Sequence, residues 1–251
     1  MEKGGILKIN YTGREKSSGE VFDTTLEKEA VKAGIFDKNR KYAPIVVVAG
    51  EGDLLPALDS ILTKMKKGEK RTVSLKPGEA FGERNPKLAK MVPLQEFRKR
   101  DIKPFPGLIV ELNNLHGRVQ SVSGGRVRVD FNHPLAGKEV EFDLSVEDEI
   151  TDRKEKVEAL FGKFFQLPEG KGKLEVKESE VRVSIPSEFA LAAAQFKKPF
   201  SEQVLKHIKG IKKVKFEEEF LPEKEKEKDM KKSGEKEKTL GKERESAKKK
   251  E

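Results

Sequence analysis

The sequence predicts an α+β protein: an antiparallel β unit with one short helix among its strands, a small β-rich insertion, and a further small α+β unit towards the C-terminus. Three observations carry this expectation. Ile45-Val-Val-Val48 is a β-branched run closed by Gly50, a strand with a turn behind it. Leu54, Leu55, Leu58, Ile61, Leu62 and Met65 then recur at helical spacing up to Gly68, the apolar stripe of one amphipathic helix. Between residues 107 and 131 three β-rich runs follow one another, and Ser123-Gly-Gly125 between the last two is a tight hairpin turn.

Taken in order, Gly5 to Tyr11 alternates as a strand with Leu7, Ile9 and Tyr11 on one face, and Gly13 to Gly19 turns the chain into Val21-Phe22-Asp23. On spacing alone Tyr11 reads as a core residue, and Asp23 as a cap for Thr24-Thr25-Leu26. Leu26 to Ile35 is expected to be a helix ended by Gly34 and Asp37-Lys-Asn-Arg40. Arg71 to Leu75 alternates as a half-buried strand, and Pro77-Gly78 breaks it to deliver Ala80-Phe81-Gly82. Met91-Val-Pro-Leu94 opens the insertion, Gln95 to Arg100 allows a turn or two of helix, and residues 107–112, 117–122 and 126–131 read as strands. Val140 to Val146 alternates with Phe142 on one face.

From Thr151 the pattern is α-β-β-α-α-β. Val157, Leu160, Phe161, Phe164 and Phe165 share a helical face, and residues 174–176 and 181–185 form a hairpin. Helices are expected over 188–197 and from Ser201 to Lys209, before a strand at 211–216. Phe161, Phe164, Phe165, Phe189 and Phe196 give this part more aromatic area than about seventy residues bury easily, which raises pairing with a second copy of the chain. From Leu221 the chain is Glu/Lys low complexity without apolar periodicity, a flexible or solitary charged helical tail.

Composition removes several function classes. There is no cysteine, so neither disulfides nor thiol catalysis; three scattered histidines, His116, His133 and His207, form no metal-binding tract. No apolar run approaches the roughly 18 residues a membrane span needs, the opening Met1-Glu-Lys-Gly-Gly is unlike a signal peptide, and the expected place is the cytoplasm. The net charge of +9 admits nucleic acid as a partner. Interleaved Lys and Glu without stacking aromatics fit a solvated, ion-paired and heat-adapted surface better, leaving a nucleic-acid or ribosome contact only to the basic C-terminal part.

The order Gly50, Asp53-Leu-Leu-Pro-Ala-Leu58, Lys67-Gly-Glu-Lys70, Ala80-Phe81-Gly82 resembles the FKBP-type peptidyl-prolyl cis-trans isomerases. Tyr11-Thr-Gly13 and Val21-Phe22-Asp23 resemble the first strands of that family's domain. Asn132-His-Pro-Leu-Ala-Gly137 with Phe142 resembles the closing strand of its SlyD-like branch. The resemblance implies a curved antiparallel sheet with a short helix packed across it, and a groove between them that turns Xaa-Pro bonds in unfolded or folding polypeptides without cofactor or metal. It further implies the archaeal long form, with an insert-in-flap unit and an extra C-terminal part. The division expected is 1–84 with 132–150 for the isomerase, 85–131 for the insertion, 151–220 for the C-terminal unit and 221–251 for the tail.

By the same resemblance Phe22, Ile45, Leu54, Leu55, Leu58, Phe81, Leu135 and Phe142 line the groove, and Tyr11 and Asp23 add polar contacts. Asp23 stands near the carbonyl preceding proline, and the Leu55 backbone N–H holds a substrate carbonyl. His133 orders its own turn. Leu58 and Phe81 stand where compact members carry tryptophan and tyrosine, which weakens the case for tight macrolide binding. A unit of under about fifty residues cannot bury all its apolar surface. Met91, Val92, Leu94, Phe97, Phe105 and Leu108 are therefore the expected client-binding residues, as in the family's insert, with a plain small core as the competing reading.

Overall fold

Ile6 to Glu15 forms β1, whose first residues Ile6 and Leu7 are both fully buried, so this strand begins with its two faces covered. The computed structural model, which describes residues 3–168 and 170–220, divides the chain into two units. One holds Ile9–Pro44 and Ala49–Asp148; the other holds Gly4–Lys8, Ile45–Val48 and the chain from Glu149 onward.

After β1 come β2 (Val21–Thr24), α1 (Glu27–Lys32), β3 (Ile45–Val48), α2 (Pro56–Leu62) and β4 (Lys70–Leu75). The insertion carries β5 (Ala89–Pro93), α3 (Leu94–Arg98), β6 (Ile109–Leu112), β7 (Leu115–Ser123) and β8 (Arg126–Asp130), and β9 (Val140–Ile150) follows it. The first sheet runs β2-β1-β9-β4, with β3 also paired to β1. β4 lies antiparallel to β9 with Val73 opposite Phe142 and Leu75 opposite Val140, and this face is buried. Arg14, Thr72, Glu141 and Asp143 point the other way and bond to one another, a polar outer face. Leu58, Leu62 and Met65, on and after α2, add to the buried apolar residues of this unit.

α1 is shorter than the 26–35 expected. Its end is fixed by Gly34 at φ +70°, where the Gly34 N–H donates to the Val31 carbonyl and the Ile35 N–H to the Ala30 carbonyl. That reversal needs a left-handed residue, which glycine supplies without a Cβ penalty.

The insertion is a four-stranded antiparallel sheet in the order β5-β8-β7-β6, with turns at Asn113-Asn114 and Gly124-Gly125, all at positive φ. Its core is Phe97, Val110, Leu112, Val119, Val127 and Val129. Where the chain leaves and re-enters, Asn85 and Asn132 bond reciprocally: the Asn85 N–H reaches the Asn132 side-chain oxygen at 2.8 Å, and the Asn132 amide reaches the Asn85 carbonyl at 3.0 Å. Arg84 pairs with Asp130 beside them. Burial opposes the Asp130 charge, but bonds from Asn132 and Arg84 outweigh it and hold the carboxyl below its usual range.

The second unit adds α4 (Arg153–Phe165), β10 (Lys173–Val176), β11 (Glu180–Pro186), α5 (Ser187–His207) and β12 (Lys213–Glu219). β10 and β11 are antiparallel, whereas β11 and β12 are parallel with α5 as their crossover. Asp152 caps α4 by accepting the Lys154 and Glu155 N–H groups. Two helices were expected between 188 and 209, but α5 is continuous through Pro199. Proline within a helix costs about 3 kcal/mol; Ala193, Phe200 and Val204 on both sides of it are buried in one core and hold the helix together. The tail expected from Leu221 lies outside the described residues, among which no helix is long and apolar enough to cross a membrane.

Candidate functional site

An irregularity in the β1–β2 ladder builds the site. Gly13 lies opposite Asp23 and Arg14 opposite Val21, so Phe22 is an extra residue without a direct partner. An uninterrupted ladder would set Phe22 opposite Arg14, on the polar outer face. The bulge frees it to share the side of Tyr11, Gly13 and Asp23. Thr24 and Thr25 anchor the pairing: the Thr25 N–H donates to the Tyr11 carbonyl and the Tyr11 N–H to Thr25 Oγ1.

Once turned inward, Phe22 meets Phe81 and Phe142 edge to face, at centroid separations of 5.7 and 5.6 Å. Tyr11 adds a tilted contact to Phe142 at 6.4 Å. Gly13 makes the cluster sterically possible. A Cβ there would sit 2.6 Å from the Phe22 ring and 2.8 Å from Phe142, inside any allowed contact. Gly13 therefore belongs to the strand as a clearing for rings, and the turn expected from Gly13 begins only after Glu15. Phe81 also stacks on His133 at 4.6 Å and an interplanar angle of 2°, while His133 Nδ1 accepts the Leu135 N–H at 3.2 Å and orders that turn. The Gly137 N–H donates to the Gly82 carbonyl and ties the two loops together.

The polar edge is a chain of three side chains. Tyr11 donates its hydroxyl to Asp23 Oδ2 at 2.5 Å, and Arg40 donates to Asp23 Oδ1 at 2.6 Å. Asp23 is thus no helix cap; Thr24 Oγ1 takes the Leu26 N–H instead. Burial and the Asp23 carboxylate push the Tyr11 hydroxyl up to about 12, so it stays protonated and donating, and Asp23 likewise raises Arg40. The Arg40 guanidinium also lies over the Tyr42 ring at 5.5 Å, and Tyr42 stacks on Phe36.

Five predicted residues, Tyr11, Phe22, Asp23, Phe81 and Phe142, are joined by direct contact. Leu54 and Leu55 are half-buried in the segment entering α2, Leu58 is buried within it, and Leu135 is half-buried after His133. Ile45 opens β3, half-buried, in a strand that groups with the second unit. Asp59, which the apolar stripe hides, is buried on α2 and accepts the Gly50 and Gly52 N–H groups, both at 2.8 Å, so it fixes the approach to Leu54 and Leu55. Gly13, Arg40 and Asp59 escaped the sequence reading; only Arg40, a charged residue in a short turn beside Tyr42, carries even a weak signal there. Among the described residues no group of three or more His, Asp or Glu is placed to hold a metal.

In the insertion Phe97 is fully buried, which corrects its place among the client-binding residues: it is the centre of the small core. Met91 and Phe105 are exposed, and Val92, Leu94 and Leu108 pack half-buried against that core. Ile109, Leu115 and Val122 are exposed as well, and were missed because alternation alone does not say which face is covered. A cavity of about 490 Å³ lies on the outer face of the first sheet, lined by Thr12, Arg14, Thr72 and Asp143 with Tyr11, Leu26 and, on α1, Glu29.

Comparison with known proteins points one way. Residues 1–97 match the family model described as FKBP-type peptidyl-prolyl cis-trans isomerase, and residues 90–135 match one described as FKBP26, IF domain. A short-type peptidyl-prolyl cis-trans isomerase of Methanocaldococcus jannaschii is 31% identical over 148 residues, covering 59% of this chain and 93% of its own. A probable FKBP-type 16 kDa isomerase of Pseudomonas fluorescens is 36% identical over 132 residues, 51% of this chain and 84% of its own. An isomerase named SlyD from Aeromonas hydrophila is 30% identical over 145 residues, 57% of this chain and 61% of its own.

Proposed function

This chain belongs to the FKBP-type peptidyl-prolyl cis-trans isomerases, which act on proline-containing polypeptides, and from that premise we propose how its residues divide the work. The barrier to rotation about Xaa-Pro comes from amide resonance, roughly 18–20 kcal/mol. Twisting the bond localises the nitrogen lone pair and lessens the charge on the carbonyl oxygen. A water-poor pocket therefore disfavours the planar amide more than the twisted one.

The Phe22, Phe81 and Phe142 rings, cleared by Gly13, supply that pocket; the edge contacts of Phe22 with both other rings are the observation that carries this reading. Leu54, Leu55, Leu58 and Leu135 complete its walls in the proposal. Asp23, held in place by Tyr11 and Arg40, stands beside the substrate carbonyl and repels its oxygen most when the amide is planar. The Leu55 N–H precedes the first turn of α2, where backbone donors lack intrahelical acceptors, and is assigned to a neighbouring substrate carbonyl. No covalent step is needed.

The insertion, residues 85–131, captures unfolded chain through Met91, Phe105, Ile109 and Leu115, and so raises the concentration of proline segments near the groove formed by 1–84 and 132–150. Residues 151–220 are proposed as a third part, and 221–251 lie outside the described residues. Exposed Leu191 and Phe196 on α5 support pairing of two copies through this part, which sedimentation of the intact chain tests.

The test is NMR exchange of a short Xaa-Pro peptide with catalytic amounts of protein. Phe81→Ala is expected to lower the catalysed rate at least tenfold. Removing 85–131 is expected to keep it for the peptide and lose it for an unfolded protein client; the Asn85–Asn132 pair shows that the two cut ends already meet. Failure of the intact, folded chain to accelerate exchange would overturn the mechanism.

A further inference from the structure

Residues 85–131 carry nine Lys and Arg against four Asp and Glu, a higher net positive charge per residue than in the chain as a whole. Their arginines also differ from most of the others, Arg153 apart, which donates to the Lys177 and Glu178 carbonyls. Arg14, Arg40, Arg71, Arg84 and Arg182 are each paired to a carboxylate. Arg98, Arg100, Arg118, Arg126 and Arg128 make no salt bridge among the described residues.

Three of these share one surface. β8 alternates Val127 and Val129, in the core, with Arg126 and Arg128, in solvent. Register sets Arg128 opposite Met91 and Ser121, and Arg118 opposite Ile109 and Asp130. Met91 is 56% exposed and Ile109 65%, so the solvent side of this sheet interleaves guanidinium groups with apolar side chains. Its carboxylates are Glu111, opposite His116, and Asp130, which Arg84, Gln120 and Asn132 already engage. Arg126 and Arg128 stand two residues apart on one strand, about 6.7 Å, the repeat at which alternate side chains of an extended peptide present themselves.

We infer that this face makes the insertion selective for acidic client segments, extended chains bearing Asp or Glu at alternate positions among apolar residues. The inference rests on the client-capture reading above. Charge complementarity speeds encounter and fixes register, and apolar contacts to Met91 and Ile109 hold the segment afterwards. A nucleic acid would ask for stacking platforms, and this face carries no Phe, Tyr or Trp.

The test uses the intact chain and fluorescence anisotropy with three proline-free peptides of one apolar pattern, their alternate positions Glu, Ser or Lys, and a single-stranded RNA oligonucleotide. The Glu peptide is expected to bind about tenfold tighter than the Ser peptide and the Lys peptide more weakly than both, with the differences shrinking as salt rises. Arg126→Gln with Arg128→Gln should level the series, and Arg126→Glu with Arg128→Glu should reverse it, the amide NMR spectrum showing that the insertion keeps its fold. If the Glu pair unfolds it, the Gln pair decides. Equal affinity for all three peptides overturns the charge preference and leaves capture standing, as does an order that survives the substitutions. Binding of none overturns capture itself. RNA bound more tightly than the Glu peptide makes this a nucleic-acid face and overturns the inference.

Discussion

Phe22 touches both Phe81 and Phe142, and the polar groups beside them are all engaged, Tyr11 with Asp23 and Asp23 with Arg40. In the insertion a single aromatic, Phe97, is fully buried, while Met91, Phe105, Ile109, Leu115 and Val122 lie in solvent. The difference is one of size. A unit of fewer than fifty residues closes one small core and leaves the rest of its apolar surface outside, whereas the larger unit covers its rings on several sides. The consequences for function diverge. In the proposed division of work, rings fixed against Phe22 hold one geometry, as stabilising a twisted amide demands, and an open surface containing Met91 suits clients of many sequences.

The largest expected effect breaks the small core. Phe97→Ala removes its one fully buried ring, and such truncations cost about 3–5 kcal/mol. Hydrogen exchange should show the insertion unfolded with the remainder protected, and short-peptide isomerisation should survive. Loss of both would mean that the two regions fold as one. Next, Gly13→Ala puts a Cβ against Phe22 and Phe142, an overpacking strain of about 1–3 kcal/mol. Catalysis should fall about tenfold or more with client binding unchanged; full activity would show that the rings tolerate displacement.

The smallest effect sharpens the electrostatics of the groove. The Tyr11 hydroxyl titrates at about 12 in the folded chain against an ordinary value near 10. Its contribution to stability is therefore complete below about pH 10 and disappears as pH rises towards 12. Asp23→Asn removes the carboxylate but not the burial, which is the larger cause. Tyrosinate absorbance should then appear at lower pH than in the native chain, though still above the ordinary value. An unchanged titration would remove Asp23 from the account of Tyr11.

The groove residues followed from the family resemblance, whereas strands 45–48 and 70–75, the 140–146 part of β9, the short helix at 56–62 and the Gly124-Gly125 hairpin were legible in the sequence itself. Each depends on local periodicity or on turn chemistry within a few residues. Only the tertiary structure made Gly13 a clearing, moved Phe22 across the sheet by a bulge, brought Arg40 onto Asp23 and set Asp59 beneath Gly50 and Gly52. It likewise buried Phe97, exposed Ile109 and carried α5 through Pro199. The reason is common to all of these: each is decided by a partner on another strand or segment, and a single chain's pattern fixes its own spacing but not which neighbour the fold will set against it.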